Sequence, residues 1–359
     1  MTEKIQNRSF SIVKGLGIIL IVVCHSAAYT PISTFAYLFN VAVFFFVAGY
    51  FFKDENLEKP LLFFRKKVVR LYVPWVLYGL AFVLLHNTFL EFGIIAYDFY
   101  QKTAIAPYSF TDIIYKCLDV LTFFKWKEPL LAPLWFLFGL FSGFCVFYSL
   151  SWIAKKISPK HFEILRASLI FLTMLLGFSG NAFDLPFSIL YRPMVISGLI
   201  FLGKLYNIFS DRIKLSPVIA LLCLVELIVF TAIDYRINIG GMKFGNPFLF
   251  LIISCSGCYM LLTLSRFIHS KWKGVTIVLD YIGRNTLTIM ALHYISFKLV
   301  MLLQIWIYDY PVKYLAYYPI VPENISHWWI VYTIAGVGIP ILLSGIYHVF
   351  QTKVTTILR

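Results

Sequence analysis

His25 closes the apolar run Ser11-Ile-Val-Lys-Gly-Leu-Gly-Ile-Ile-Leu-Ile-Val-Val-Cys-His25, and Lys14 precedes it by eleven residues. In a helix eleven residues make almost three turns, so both side chains lie on one face, roughly 16 Å apart along the axis. An imidazole inside an apolar segment carries a desolvation cost, and its default reading is function. A neutral imidazole can take a proton from a hydroxyl as that hydroxyl attacks an acyl carbonyl, a task suited to a base that titrates near neutrality. The competing reading is a hydrogen bond between helices, for example to Asn40 on the next apolar segment. Lys14 either snorkels to a headgroup layer or meets an anion.

The other polar residues within apolar segments are Asn40, Glu226, Asn285, His293, Lys298 and Gln304. Glu226 is the one carboxylate well inside such a segment, where it could orient a histidine or pair with Lys298. His293 suits helix-to-helix bonding as well as chemistry. No pair of histidines or acids has ligand spacing on one helix face, so no metal site is expected. Of six cysteines only Cys117 falls in an outer loop, which gives no disulfide framework. Cys255-Ser-Gly-Cys258 lies inside an apolar segment without a second pair and reads as packing.

These residues sit in a chain of 359 residues that is 60% hydrophobic and 13% charged, with a mean hydropathy of +0.82. Such a composition excludes an ordinary soluble protein. Segments near the ~20 residues that cross a bilayer as helix fall at 10–30, 36–52, 69–90, 133–154, 163–181, 187–209, 215–233, 247–268, 286–308 and 327–350. The expected fold is all-α, a polytopic transmembrane bundle of about ten spans in one domain over 1–359, with no soluble extracytoplasmic domain. The first run lacks a small-residue cleavage site and reads as a span, not a signal peptide.

The net charge of +14 reports topology. With the amino terminus inside, basic residues collect in alternate loops: Lys4 and Arg8; Lys53 to Arg70; Lys155, Lys156 and Lys160; Lys204, Arg212 and Lys214; Arg266 to Arg284; Lys353 and Arg359. The opposite loops are poorer, with Lys102, Lys116, Lys125 and Lys127 spread over a long one. This is the positive-inside pattern with both termini cytoplasmic, and it removes nucleic acid as the partner. The inner connection Lys53 to Arg70 has four cations in its last six residues and serves either as a topology anchor or as a grip on a polyanion. The outer one, from about Glu91 to Ala132, is rich in aromatic residues (Tyr97, Phe99, Tyr100, Tyr108, Phe110, Tyr115, Phe123, Phe124, Trp126). They suit an interfacial belt or sugar stacking. Phe110 to Phe124 could form an amphipathic helix lying on the outer surface.

Five strings in order resemble the acyltransferase family 3 integral membrane proteins, particularly the fucose 4-O-acetylase-like branch that decorates cell-surface sugars. They are Lys14-Gly-Leu-Gly-Ile-Ile-Leu-Ile-Val-Val-Cys-His25, Phe39-Asn-Val-Ala-Val-Phe-Phe-Phe-Val-Ala-Gly-Tyr50 and Arg65-Lys-Lys-Val-Val-Arg-Leu-Tyr-Val-Pro74, then Pro133-Leu-Trp-Phe-Leu137 and Tyr281-Ile-Gly-Arg-Asn-Thr-Leu-Thr-Ile-Met-Ala-Leu-His293-Tyr. Lys14 stands where many members have arginine, which keeps the charge but weakens a bidentate phosphate grip. Ala48 stands where serine is common.

The resemblance implies transfer of an acyl group, usually acetyl from cytoplasmic acetyl-CoA, to a sugar hydroxyl of a lipid-linked or polymeric glycan. It places the protein in the bilayer of a bacterial plasma membrane as a multi-pass enzyme. His25 would be the catalytic base, or less readily an acyl carrier. Lys14, Lys67 and Arg70 would hold the CoA phosphates. Trp135, Asn40, Tyr50, Asn285 and His293 would line the acceptor site, with Glu226 as an orienting acid. The alternative is a transporter or flippase in which His25 and Glu226 bind protons or substrate without covalent chemistry.

Overall fold

A computed structural model of the chain describes residues 3–98, 103–122, 128–183, 185–186, 188–323 and 327–357. Phe99, Tyr100, Lys102, Phe123, Phe124, Lys125, Trp126, Lys127 and Arg359 lie outside the described residues. In hydrocarbon each backbone N–H and C=O must find its partner inside the chain, so apolar runs become helices. The order is α1 Glu3–His25, α2 Thr30–Tyr37, α3 Ala42–Tyr50, α4 Pro60–Lys67, α5 Val73–Glu91, α6 Phe110–Leu121 and α7 Trp135–Ile157. It continues with α8 Phe162–Ala182, α9 Tyr191–Phe209, α10 Pro217–Ala232, α11 Pro247–Lys271, α12 Lys273–Arg284, α13 Thr286–Tyr308 and α14 Trp328–Ile357. A ribbon pairs Tyr97–Asp98 with Thr103–Ala104.

Local chemistry sets several helix starts. Pro60, Pro217 and Pro247 open α4, α10 and α11, where a missing N–H costs nothing. The Asn246 side chain accepts from the backbone N–H groups of Phe248 and Leu249 at 3.0 and 3.2 Å. Ser109 and Asp112 form a capping box at the start of α6.

Among the described residues nine helical stretches are long and apolar enough to cross a membrane. The protein is a polytopic helical membrane protein. This agrees with the expectation of about ten spans; the segment expected at 215–233 is the shorter α10 of 16 residues, about 24 Å of helix against a core of about 30 Å. The second span is two helices, α2 and α3, with a break at residues 38–41. The inner connections are themselves largely helical. Asp54–Glu58 is a 3-10 turn, a π-helical turn at Val68–Tyr72 joins α4 to α5, and α12 follows α11 after one residue.

Residue contacts divide the chain into two compact units. The first comprises Met1–Gly17, Thr34–Pro74 and Trp135–Asp280, the second Ile18–Ser33, Trp75–Leu134 and Tyr281–Arg359. In the first unit α3 lies directly on α9. A Cβ on Gly49 would stand 1.8 Å from the Ile200 carbonyl oxygen, and one on Gly203 would stand 1.8 Å from that of Phe46. The two backbones therefore meet through glycine on each side, the close approach by which helices associate without a hydrophobic driving force.

In the second unit the expected amphipathic helix forms as α6 and lies along α5. The Trp75 indole N–H donates to the Val120 carbonyl at 2.9 Å. Twelve residues further along α5, the Asn87 amide donates to the Tyr108 carbonyl at 2.9 Å and accepts the Tyr108 N–H at 2.7 Å. Twelve residues also separate the anchors Tyr108 and Val120, so α6 runs antiparallel beside α5 for about 18 Å. Its uncovered face carries Phe110, Ile114, Tyr115, Leu118 and Leu121, all exposed in the isolated chain, and that face suits hydrocarbon. A nitroxide on Leu118→Cys should collide more with oxygen than with a water-soluble nickel relaxant; the reverse ratio would return α6 to the aqueous surface.

Candidate active site

His25 is the last residue of α1, and His293 lies on the third turn of α13. The two come together in the second unit, with His25 Nδ1 3.1 Å from His293 Nε2. The rings lie within 15° of coplanar and their centres stay 5.3 Å apart. They therefore meet edge to edge, as a hydrogen bond in the ring plane requires. His293 Nδ1 stands 3.0 Å from the Ile289 carbonyl oxygen one helical turn earlier.

The surroundings of the pair are apolar and aromatic. His293 is fully buried, and Tyr294, Phe297 and Tyr332 are buried beside it. Tyr294 meets the His25 ring edge-on at 5.1 Å. On α14, a Cβ at Gly336 would come within 2.8 Å of Val22 and 2.6 Å of Phe297, so only glycine lets α14 approach here. His25 itself is part-buried, so an imidazole held by protein on one edge keeps some access on the other. This arrangement can accept a proton at His25.

A sequence model of a family described as an acyltransferase domain matches residues 7–347. The chain belongs to acyltransferase family 3. No curated protein and no solved structure matches it significantly. The remaining expected residues can be placed relative to the pair formed by His25 of α1 and His293 of α13.

Lys14, Lys67 and Arg70 all belong to the first unit. Lys14 is part-buried on α1, the same continuous helix as His25. Lys67 Nζ stands 3.4 Å from the centre of the Phe144 ring and 5.2 Å from that of Phe63. Aromatic faces thus orient this side chain. Arg70 is exposed on the π turn. Among the described residues no carboxylate lies within ion-pair distance of Lys67 or Arg70.

Other cations of this acyltransferase are already paired. Asp54 accepts from Arg166 Nη1 at 2.6 Å and from Lys204 Nζ at 2.7 Å, and Arg166 also binds Glu163. Lys155 pairs with Glu58 at 2.9 Å, which holds that carboxyl below the usual range. Together with Tyr50, Lys53 and Asn207, the residues Asp54, Glu58, Lys155 and Lys204 line a cavity of about 530 Å³. Tyr50, expected at the acceptor, stacks against Phe10 at 4.1 Å and sits at this charged cavity.

Trp135 opens α7, and the Arg192 guanidinium covers its ring at 5.1 Å while donating to the Gly240 carbonyl at 2.7 Å. Asn40 marks the break between α2 and α3, where its side-chain oxygen accepts the Val41 N–H at 2.7 Å. Asn285 donates to the Tyr281 carbonyl at 2.9 Å and accepts from Ser344 at 2.7 Å. That bonding ties the α12–α13 corner to α14. Glu226 meets neither of its expected partners: Ser256 donates to it at 2.5 Å. Lys298 donates to the carbonyls of Leu315 and Tyr317 at 2.7 and 2.5 Å.

A further cluster in the second unit escaped the sequence reading. His86 Nδ1 faces Glu128 Oε2 at 3.2 Å and Nε2 faces the Ala106 carbonyl at 3.1 Å. The ring is thus held at both nitrogens. The ring stacks on Tyr108 at 3.5 Å and 5°, and the Tyr108 hydroxyl donates to Glu128 Oε1 at 2.7 Å. His86 and Glu128 are both buried. Glu128 sits in a loop beside two lysines of the sequence, Lys125 and Lys127, so it reads as solvated, and nothing local points to His86. Because breaking a buried pair from one side leaves an uncompensated charge, His86→Leu should cost about 3–5 kcal/mol. Thermal unfolding in detergent reads this directly, and an unchanged midpoint would mean that the pair contributes nothing.

Proposed function

We propose that this acyltransferase moves an acetyl group from cytoplasmic acetyl-CoA to a sugar hydroxyl of a surface or envelope glycan, as the fucose 4-O-acetylase-like branch does. The acceptor is lipid-linked or polymeric, and the enzyme works in a bacterial plasma membrane. The observation that carries the reading is the half-buried imidazole of His25, held on one edge by His293 in an apolar pocket. His25 acts as general base toward the acceptor hydroxyl. Lys14, Lys67 and Arg70 bind the CoA phosphates. Helix α1 sets the scale, because the roughly 16 Å from Lys14 to His25 is a span that a pantetheine arm can cover. Membership of an acyltransferase family favours covalent chemistry over transport.

Cells carrying His25→Ala at equal membrane abundance should lose the O-acyl signals from the NMR spectrum of their surface glycan, with export of the glycan unchanged. Normal acylation would reject the base role. Separately, Lys14→Ala and Arg70→Ala should each weaken binding of acetyl-CoA to the purified protein about tenfold, the scale of one charge-assisted contact of roughly 1.5 kcal/mol. Equal affinity in both variants would remove these cations from the donor site.

A further inference from the structure

We infer that His293 is a positioning residue that fixes His25 as the Nδ1–H tautomer and so makes Nε2 its basic nitrogen. The inference rests on the base role proposed above, but its core is an account of hydrogens that needs no substrate. The Ile289 carbonyl oxygen can only accept, so His293 Nδ1, 3.0 Å away, carries the hydrogen. A neutral His293 then presents a bare lone pair at Nε2. His25 Nδ1 stands 3.1 Å from that lone pair. Two bare nitrogens at this distance would repel, so His25 Nδ1 carries the second hydrogen and donates it. The only nitrogen of the pair left to take a proton is His25 Nε2. In general the partner of one ring nitrogen sets the state of the other, and here a backbone carbonyl sets both rings in series.

This relay bears on the reaction as well as on the resting state. When Nε2 takes the acceptor's proton, the O–H bond breaks, its electron pair forms the new C–O bond at the acyl carbonyl carbon, and the carbonyl π pair moves onto its oxygen, from which it later returns. The carbon–sulfur bond of the thioester then breaks, and the Nε2 proton passes to the departing CoA thiolate, which restores the neutral base. While His25 is an imidazolium, its Nδ1–H bond to His293 is charge-assisted and stronger than in the resting enzyme. An interaction that tightens only as the proton moves lowers the barrier, whereas one of constant strength does not. Close packing keeps the acceptor nitrogen in place: His293 is fully buried, and Gly336 admits α14 against Phe297 and Val22.

Nitrogen-15 NMR of the intact protein with labelled histidine reads the tautomer directly. The resting wild-type protein should show His25, assigned by the signals lost in His25→Gln, protonated at Nδ1 and bare at Nε2. His293→Phe keeps a ring of similar size but offers no acceptor. It should shift the His25 hydrogen to Nε2 and lower kcat roughly 100-fold, the lower range for one acid–base group, with KM for acetyl-CoA unchanged. His293→Gln supplies an amide oxygen and should recover about tenfold of that loss, as one hydrogen bond of roughly 1.4 kcal/mol would. A wild-type His25 protonated at Nε2, or equal kcat in the Phe and Gln variants, would overturn the inference. Failure of the base role is a distinct result, because it shows as acylation by His25→Ala while the resting spectrum is unaffected.

Discussion

An imidazole within a bilayer has to find partners for its nitrogens inside the protein, and that requirement organises the second unit. Unpaired polar groups in hydrocarbon cost several kcal/mol each. His293 meets the requirement by bonding back to its own helix through Ile289, and His25 meets half of it by bonding to His293. The neighbours follow from this. Aromatic rings close around the pair, α14 needs a glycine to come near it, and α1 ends where its last side chain reaches α13. What remains unmet at His25 is a single nitrogen, which is where chemistry can occur.

The first unit handles charge differently. Arg166 and Lys204 are buried and would be untenable alone, so Asp54 and Glu163 neutralise them and thereby fix the short 3-10 turn at Asp54–Glu58. Lys67 is oriented by rings instead. An ammonium on an aromatic face is held by the ring quadrupole, whereas one on a carboxylate is held by an opposite charge. The same unit thus holds its cations in two ways, by carboxylates and by aromatic rings.

Much of this was legible in the residues. The spans follow from hydropathy and length, and His25 stood out because its neighbours are uniformly apolar. His293 was visible as a polar residue in a span, but its role depends on a contact 268 positions away, which no local pattern encodes. The position of α6 was hidden for a related reason. Its apolar stripe is visible locally, but the neighbour on its other face is set by the bonds from Trp75 and Asn87. Glu226 misled because a lone carboxylate in an apolar run suggests a cation, while a serine hydroxyl on α11 answers it.

The π turn at Val68–Tyr72 has an angular consequence. In a regular α-helix successive residues turn by about 100°, so positions three apart point nearly the same way. Wider winding between Lys67 and Arg70 spoils that coincidence, and the two cations diverge: one lies back on Phe144, the other faces outward. An anion held by both would be gripped from two directions, as in a pincer, and not met by a flat patch. The one surplus residue that winds the turn is thus a shape determinant, and deleting it would rotate the whole of α5 against its neighbours.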